Sequence, residues 1–195
     1  MDSLSTDQQV ALLVRGCENV YTVDELKDRL SKGKRLRVKL GMDPTAPDLT
    51  LGHTVVLRKL RQFQDLGHKA VLIIGDYTAQ IGDPSGRSET RKPLAARDIE
   101  ANLKHCLAHA GKVIDLGAAE THRNSEWLGE GLHKILELSR AATIQQVLRR
   151  EDFKKRLAEN SDISLLETLY PLLQGYDSVA VRADVELGGT DQKFN

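Results

Sequence analysis

The sequence has few cysteines and no long apolar run, and both absences narrow the class of protein. Its two cysteines, Cys17 and Cys106, stand far apart and outside any CxxC or Cys/His spacing, which argues against a disulfide framework and against a zinc site. No stretch approaches the roughly 20 apolar residues of a membrane span, and the N-terminus lacks a basic-then-apolar signal pattern. We therefore expect a reducing, cytoplasmic setting with no membrane partner.

An excess of one charge sign is also missing. The 195 residues contain 28 Lys plus Arg and 28 Asp plus Glu, so no overall basic field indicates a nucleic acid, although a neutral total can hide a local basic patch. Hydrophobic residues make up 40% of the chain, which is enough to bury a core. The composition predicts a globular protein with one sizeable α/β domain or two small ones.

A strand-helix-strand pattern opens the central part of the chain. Apolar and basic residues alternate over residues 36–40, a helical apolar face follows over residues 51–66, and Gly67 is its expected C-terminal stop. Residues 70–75 then form a fully apolar run, which is typical of a strand covered on both faces. This pattern predicts a parallel, right-handed βαβ unit and an α/β fold with a Rossmann-like sheet.

The remaining segments are mostly helical in pattern. Helices are predicted over residues 6–19, 23–30, 95–110, 128–140, 143–149 and 151–159, and further strands over residues 113–116 and 184–187. We expect residues 1–35 to be an N-terminal helical lead-in and residues 36–195 to be a Rossmann-like domain. A helical insertion is expected over about residues 118–160.

The tetrapeptide Thr50-Leu51-Gly52-His53 lies at the predicted start of the first long helix. A helix N-terminus offers free N–H groups and a positive dipole end to an anion. Gly52 leaves room for a base or ribose, while Thr50 and His53 can donate hydrogen bonds to phosphoryl oxygens. A plain helix cap explains the same residues, so the tetrapeptide alone leaves both interpretations open.

A polar stripe lies on a helix predicted near residue 165. Ser164 and Glu167 form a capping-box pattern that fixes the helix start. Tyr170, Gln174 and Asp177 then fall at positions i, i+4 and i+7 on one face, which contains no Lys, Arg or Glu. Such a stripe either faces water or meets a ligand that carries an ammonium group and a hydroxyl donor.

Two turns contain further polar residues that are candidates for ligand binding. Gly189, Asp191 and Gln192 follow the predicted strand over residues 184–187, at an edge where α/β sheets bind ligands. Asp83 lies in the stretch IGDPSG, where it is either a turn residue or an acceptor for a substrate amine. Its neighbours Arg87 and Arg91 are either solvated charges or phosphate contacts.

Four motifs in fixed order, "GMDPTAPDLTLGH", "IGDPSGR", "YPLLQGYDS" and "VELGGTDQKFN", resemble the bacterial tyrosyl-tRNA synthetase family of class I aminoacyl-tRNA synthetases. The resemblance runs from about Val38 to Asn195, and "NSEWL" and "REDFKKR" are similar to that family's connecting insertion. It implies a ligase that activates tyrosine with ATP and Mg²⁺ to tyrosyl-adenylate and transfers it to tRNA(Tyr). It also implies a homodimer that uses the insertion, roughly residues 127–155, and no binding of DNA.

The resemblance assigns roles residue by residue. It implies a catalytic group of His53, Thr50 and Thr45, an ATP-binding group of Gly52, His53, Asp43, Asp191 and Gly189, and a tyrosine-binding group of Asp83, Tyr170, Gln174, Asp177, Gln192 and Gly41, with no resident metal. Within the last group, Tyr170, Gln174 and Asp83 match residues that hold the ammonium group, and Asp177 matches the acceptor of the phenolic hydroxyl.

This sequence departs from the family pattern at several places. Thr50 replaces the first histidine of the ATP signature, and Lys39 replaces a tyrosine that faces the substrate phenol in many relatives. The family's mobile lysine-bearing loop and its anticodon-binding domain are absent from these residues, so we expect the chain alone to be inactive or weakly active. A noncatalytic tyrosine-binding module and a TxGH nucleotidylyltransferase are the alternative hypotheses.

Overall fold

A four-stranded parallel sheet forms the centre of the computed structural model, which describes residues 4–83 and 94–192. The strands are β1 (Arg37–Met42), β2 (Lys69–Ile74), β3 (Glu120–Arg123) and β4 (Val185–Leu187), in the order β3-β2-β1-β4. β1 lies between β2 and β4, and Val38 is paired with Ala70 on one side and with Val185 on the other. The predicted Rossmann-like α/β fold is confirmed.

The first βαβ unit forms because its apolar residues fit both faces of the sheet. Helix α3 (Leu51–Asp65) packs on one face through Leu57, Leu60 and Phe63, each of which is buried. β2 is buried along almost its whole length, as a central strand requires. Gly67 adopts a φ of 88°, a conformation that glycine takes readily, and ends the connection to β2.

Two N-terminal helices pack against the same core. α1 (Thr6–Val14) is shorter than predicted, and α2 (Val23–Ser31) agrees with the predicted segment within one residue. Val10 and Leu13 of α1 and Leu30 of α2 belong to the apolar cluster that also contains Leu36 beside β1. The division of the chain into a lead-in and a catalytic domain stays a prediction.

The strand predicted over residues 113–116 is wrong, because this segment forms turns. Asp115 Oδ1 accepts hydrogen bonds from the N–H groups of Gly117 and Ala118 at 2.9 and 3.2 Å, which closes a turn where a strand would have to continue. Ile114 is nevertheless buried and packs in the main apolar core. The edge strand is β3 instead, whose sequence ETHR carries no apolar signal.

The segment between β2 and β4 is mostly helical. It contains α4 (Thr78–Ile81), α5 (Ala96–Ala110), α6 (Ser125–Leu128), α7 (Leu132–Ser139), α8 (Ile144–Val147), α9 (Glu151–Ala158) and α10 (Leu165–Ala180). The helix predicted over residues 128–140 begins later than expected, at Leu132, because the chain turns at Gly131 with a φ of 82°. Among the described residues, no helix is long and apolar enough to cross a membrane.

The start of α10 is fixed more strongly than the sequence pattern indicates. The predicted capping box is present: Ser164 Oγ accepts from the N–H of Leu166, and Glu167 accepts from the N–H of Ser164. Glu167 also forms a buried ion pair with Arg156 of α9, with 2.7 Å between Nη1 and Oε1. These contacts set the rotation of α10 and therefore the face on which its polar stripe lies.

Candidate functional site

A cavity of about 400 Å³ opens at the carboxyl edge of the parallel sheet. Its walls come from the end of β1, the first turn of α3, the inner face of α10 and the glycine turn after β4. Parallel α/β sheets bind their ligands at this edge, because the loops that follow the strands converge there. The fold therefore places the cavity where the sequence motifs meet.

Almost all of the predicted site residues line this one cavity. They are Gly41, Asp43, Thr45, Thr50, Gly52, His53, Asp83, Tyr170, Gln174, Asp177, Gly189 and Gln192. Asp191 lies on a short 3₁₀ turn over Thr190–Gln192, and its side chain is outside the described part of the structure. Arg87 and Arg91, the candidate phosphate contacts, also lie outside the described residues.

The outer end of the cavity is the first turn of α3. The backbone N–H of Thr50 donates to Nδ1 of His53 at 3.1 Å, and the Thr50 hydroxyl lies 2.8 Å from the same nitrogen. Because Nδ1 accepts from a backbone N–H, the neutral ring carries its proton on Nε2. A side chain on Gly52 would meet only the Thr50 hydroxyl, at an ordinary 3.5 Å, so the approach to this turn is open.

The inner end of the cavity contains Asp43 as its central acceptor. The Tyr170 hydroxyl donates to Asp43 Oδ2 at 2.9 Å, and the Thr78 hydroxyl donates to Oδ1 at 2.8 Å. Burial raises the pKa of Asp43 to about 7, although both hydrogen bonds oppose the shift. The pKa of Tyr170 is raised above its ordinary value by burial and by the neighbouring Asp43 charge.

Asp177 lies two turns beyond Tyr170 on α10 and is 4% exposed. The indole N–H of Trp127 donates to its Oδ1 at 2.8 Å, and the side-chain amide of Asn124 donates to Oδ2 at 3.4 Å. Burial raises the pKa of Asp177 to about 6, against the opposing charge of Lys39. At neutral pH this carboxylate is therefore mostly ionised, and an ionised carboxylate can only accept hydrogen bonds.

The loop after α4 and the glycine turn after β4 meet across the cavity. Gln192 Nε2 donates to Asp83 Oδ2 at 3.0 Å. The tertiary structure thus joins two candidates that are 109 positions apart in sequence. With Asp43 and Asp177, Asp83 makes the cavity rich in carboxylates, an arrangement that suits a cationic ligand group.

The sequence reasoning missed four residues that shape the inner end. Thr78, Asn124 and Trp127 hold Asp43 and Asp177 through the hydrogen bonds described above. Gly75 leaves the space that the Asp43 and Thr78 side chains occupy, because any Cβ there would overlap both. "NSEWL" drew attention only through its resemblance, and no local pattern shows that its indole and amide reach a helix 50 residues away.

A second, shallower groove of about 480 Å³ lies between β1, β3 and the end of α10. An ion pair runs along it, with the Arg37 guanidinium donating to both oxygens of Glu120 at 3.0 and 2.6 Å. None of the predicted site residues lines this groove. Within the described ranges, no group of three His, Cys, Asp or Glu side chains is placed to hold a metal ion.

The sequence matches one protein family and is similar to curated proteins of bacteria. Residues 31–195 match the family described as tRNA synthetases class I (W and Y). The chain is 52% identical over 190 residues to the tyrosine–tRNA ligase of Xanthomonas oryzae pv. oryzae, with 97% of this chain and 47% of that protein covered. It is 52% identical over 196 residues to the same-named protein of Deinococcus radiodurans, with 99% and 48% covered. The chain thus spans about half the length of these curated relatives.

Solved structures show the same architecture. The fold is similar to a C-terminally truncated mitochondrial tyrosyl-tRNA synthetase of Coccidioides posadasii, with a TM-score of 0.76, 29% identity, and 95% of this chain and 55% of that chain covered. It is also similar to the Archaeoglobus fulgidus tyrosyl-tRNA synthetase complexed with L-tyrosine, with a TM-score of 0.80, 22% identity, and 97% and 57% covered. At 22% identity the second likeness concerns the fold alone.

Proposed function

The chain belongs to the class I tRNA synthetases of the W and Y group, and from this premise we propose that its cavity activates tyrosine with ATP. The product is tyrosyl-adenylate, which the complete enzyme transfers to the terminal ribose of tRNA(Tyr). Because the chain covers 47% of the Xanthomonas relative, the activity of the whole protein is part of this proposal. A cytoplasmic location belongs to the same proposal, since translation takes place there.

One observation carries the proposal: a buried acceptor and a carboxylate-rich wall lie in the same cavity as a helix N-terminus. Asp177 is the acceptor for the phenolic hydroxyl, and it lies on α10 with Tyr170 and Gln174. Together with Asp83, the latter two would hold the ammonium group of the amino acid. The start of α3 at the outer end suits the phosphates of ATP.

The proposed chemistry needs no covalent intermediate on the protein. The tyrosine carboxylate attacks the α-phosphorus of ATP in line, a new P–O bond forms, and pyrophosphate leaves with the electrons of the broken P–O bond. The protein contributes positioning and stabilisation of the developing charge. His53 would donate through Nε2, Thr50 and Thr45 through their hydroxyls, and Mg²⁺ would accompany the ATP phosphates.

The nucleotide would lie along the glycine-rich edges of the cavity. Gly52 and Gly189, which line the cavity, would leave space for the ribose and base, while Asp43 and Asp191 are the proposed acceptors for hydroxyl or amino groups. Gln192 and Gly41 complete the proposed tyrosine contacts. This division would place the amino acid at the inner end and ATP at the outer end, with Asp43 at the boundary where the two substrates meet.

Phenylalanine would be rejected by the buried state of Asp177. The carboxylate is 4% exposed, so water cannot replace the hydroxyl donor that phenylalanine lacks. Trp127 and Asn124 fill only part of the acceptor capacity of this carboxylate, and a buried acceptor position left unfilled costs about 1–3 kcal/mol. Selection would thus arise from an unmade hydrogen bond as well as from the shape of the cavity.

A noncatalytic tyrosine-binding module is the second candidate, and Thr50 favours it, because a threonine stands in place of a histidine in the ATP signature. The nucleotidylyltransferase hypothesis has less support, since such an enzyme would have no use for the stripe of Tyr170, Gln174 and Asp177. Family membership also argues against it.

Homodimerisation is a further part of the proposal. The expected interface segment, residues 127–155, carries exposed apolar side chains on α7 and α8, with Leu132 72%, Leu136 53% and Ile144 47% exposed. A large contiguous apolar patch on a surface marks a protein interaction site, and these side chains would contribute to such a patch. Light scattering at micromolar concentration should give the mass of a dimer, and a purely monomeric protein would contradict this part.

Amino-acid-dependent exchange between ATP and pyrophosphate tests the main proposal. We expect the complete gene product to catalyse exchange with tyrosine and not with phenylalanine or tryptophan. The 195-residue chain, measured in parallel, should bind tyrosine and show weak exchange or none. Tyrosine binding without exchange in both forms would favour the noncatalytic module, and no tyrosine binding in either would refute both.

A further inference from the structure

Lys39 is a buried lysine beneath the tyrosine end of the cavity. Its side chain is 1% exposed, although an ammonium group is costly to remove from water. The neighbouring strand places Val71 beside Lys39 and Ile73 beside Gly41, and both are fully buried. An apolar residue at position 39 would therefore fit this face of the sheet, so the charge is a feature that packing alone does not require.

Gly41 allows the lysine to reach the cavity. The Lys39 side chain runs along the strand over Gly41, and its Cε and Nζ atoms lie 3.7 and 3.9 Å from the position that a Gly41 Cβ would take. Gly41 itself lines the cavity. The ammonium group of Lys39 therefore lies directly behind Gly41 in the cavity wall, although the lysine itself is not exposed to solvent.

Glu186 holds this ammonium group in place. Lys39 Nζ lies 2.5 Å from Glu186 Oε1, and the other carboxylate oxygen, Oε2, accepts from the Ser178 hydroxyl at 2.7 Å. Ser178 is the residue after Asp177 on α10. The ion pair therefore connects β1, β4 and α10 at the point where Asp177 enters the cavity.

The positive charge of Lys39 also acts on Asp177. It lowers the pKa of Asp177, whereas burial and the charge of Glu186 raise it. The other titratable groups near Asp177 are Asp43 and Tyr170, and each has its own pKa raised by the charge of Asp177. Among the described groups in this set, Lys39 is the only cation, so it alone favours the ionised carboxylate by its charge.

We propose that Lys39 is a specificity-determining residue of the tyrosine subsite. Its buried ammonium group, held by Glu186, keeps Asp177 ionised, so that Asp177 can accept the hydroxyl proton of a 4-hydroxyphenyl side chain. Lys39 is therefore a positioning residue that acts through Asp177. This inference rests on the proposed function, because it requires tyrosine to bind with its phenol at the inner end of the cavity.

Ligand binding by the complete gene product tests this role. Calorimetric affinities for tyrosine and phenylalanine would be measured from about pH 5 to about pH 8, a range that spans the Asp177 pKa of about 6. Wild type should prefer tyrosine at neutral pH and lose the preference as pH falls through about 6, because a protonated Asp177 no longer acts as a full acceptor.

Lys39→Met should weaken tyrosine binding about twofold at pH 7 and about fivefold at pH 6 for each unit by which the Asp177 pKa rises from about 6, because the ionised fraction of the carboxylate falls by these factors. Phenylalanine binding should stay the same or tighten, and the midpoint of the preference should move to higher pH. Lys39→Arg should restore most of the preference. Lys34→Met, which removes a 68% exposed lysine paired with Asp184, is the matched control and should behave as wild type.

Glu186→Gln gives an independent test with the opposite sign. This change removes the negative charge that raises the pKa of Asp177 and keeps an amide oxygen that can accept from Lys39, so the midpoint should move to lower pH. It also carries the test if Lys39→Met does not fold. The inference is overturned if wild type prefers tyrosine but Lys39→Met keeps the same preference and midpoint, or if Glu186→Gln leaves the midpoint unchanged or raised. A wild-type protein without any preference for tyrosine would instead refute the proposed function.

Discussion

The two ends of the cavity differ in how deeply their side chains are buried and in how far they depend on partners from other elements. At the outer end, Thr50, Gly52 and His53 belong to the first turn of a helix and are exposed. At the inner end, Tyr170 and Asp177 are 5% and 4% exposed and depend on partners from other elements. The buried end can therefore select a ligand through unmade hydrogen bonds, at the expense of folding stability. The exposed end can contribute to chemistry with little effect on folding.

The largest expected difference between the two ends is in the rate of tyrosyl-adenylate formation, which should fall when a side chain at the exposed end is removed. His53→Ala should slow tyrosyl-adenylate formation by roughly 100-fold, because it removes a donor to the charge that develops on phosphate. Tyrosine affinity should change by less than about twofold, since His53 lies at the other end. Pre-steady-state adenylate formation and equilibrium tyrosine binding measure the two quantities.

His105→Ala is the matched control for that variant, because His105 is an exposed histidine on α5 that does not line the cavity. It should leave the rate and the affinity unchanged. Equal losses of rate and of tyrosine affinity in His53→Ala would contradict the proposed separation of the two ends.

At the buried end, Gly75→Ala should lower the free energy of unfolding by about 1–3 kcal/mol, as overpacking does in a filled interior. The added methyl group would overlap the Asp43 and Thr78 side chains. It should also weaken tyrosine binding, because the overlap displaces Asp43, whose oxygens hold the hydroxyl groups of Thr78 and Tyr170. Urea unfolding and calorimetry measure both effects. A variant as stable as wild type would show that the inner end is loosely packed.

The pH dependence of stability sharpens the same comparison. Burial raises the folded-state pKa of Asp43 to about 7, so the folded protein holds a proton that the unfolded chain releases near pH 4. The contribution of this bound proton to the free energy of unfolding is fully present below the ordinary pKa of the carboxyl group. It is lost as pH rises through about 7.

Asp43→Asn should therefore be more stable than the ligand-free wild type at pH 8, by on the order of 1 kcal/mol. The advantage should shrink as pH falls towards 5, where the wild-type carboxyl group is itself neutral. Thermal unfolding of both proteins across this range measures the difference. A constant difference at every pH would mean that Asp43 carries no buried charge.

Gly52→Ala should have the smallest effect on folding and the opposite sign to Gly75→Ala. The new methyl group meets only the Thr50 hydroxyl at 3.5 Å, and replacing a helical glycine by alanine stabilises a helix by up to about 1 kcal/mol. Exchange of ATP and pyrophosphate should nevertheless weaken, because the methyl group occupies the open approach to the turn. Unchanged exchange would place the nucleotide elsewhere.

Prediction from sequence succeeded where a local pattern carries the information. The capping box at Ser164 fixes the register of α10, and the spacing of Tyr170, Gln174 and Asp177 then places all three on one face. It failed at the edge of the sheet, where a local turn excludes one segment and pairing with the distant strand β2 selects another. Residues 113–116 are apolar enough for a strand, but the Asp115 turn competes successfully, and the true edge strand Glu120–Arg123 has no apolar periodicity.

The sequence by itself determined the α/β class and the face of α10 that carries the polar stripe, because amphipathic periodicity and capping act over a few neighbouring residues. Other residues of the cavity wall, such as Gly41, Asp43 and Thr45, were predicted only through the resemblance to the family. The tertiary structure decided which charges are buried and what holds them. Asp177 obtains its partners from Trp127 and Asn124, and Lys39 from Glu186, across 50, 53 and 147 positions. The ionisation of such a group depends on burial and on remote charges, and both are set only when the strands and α10 pack together.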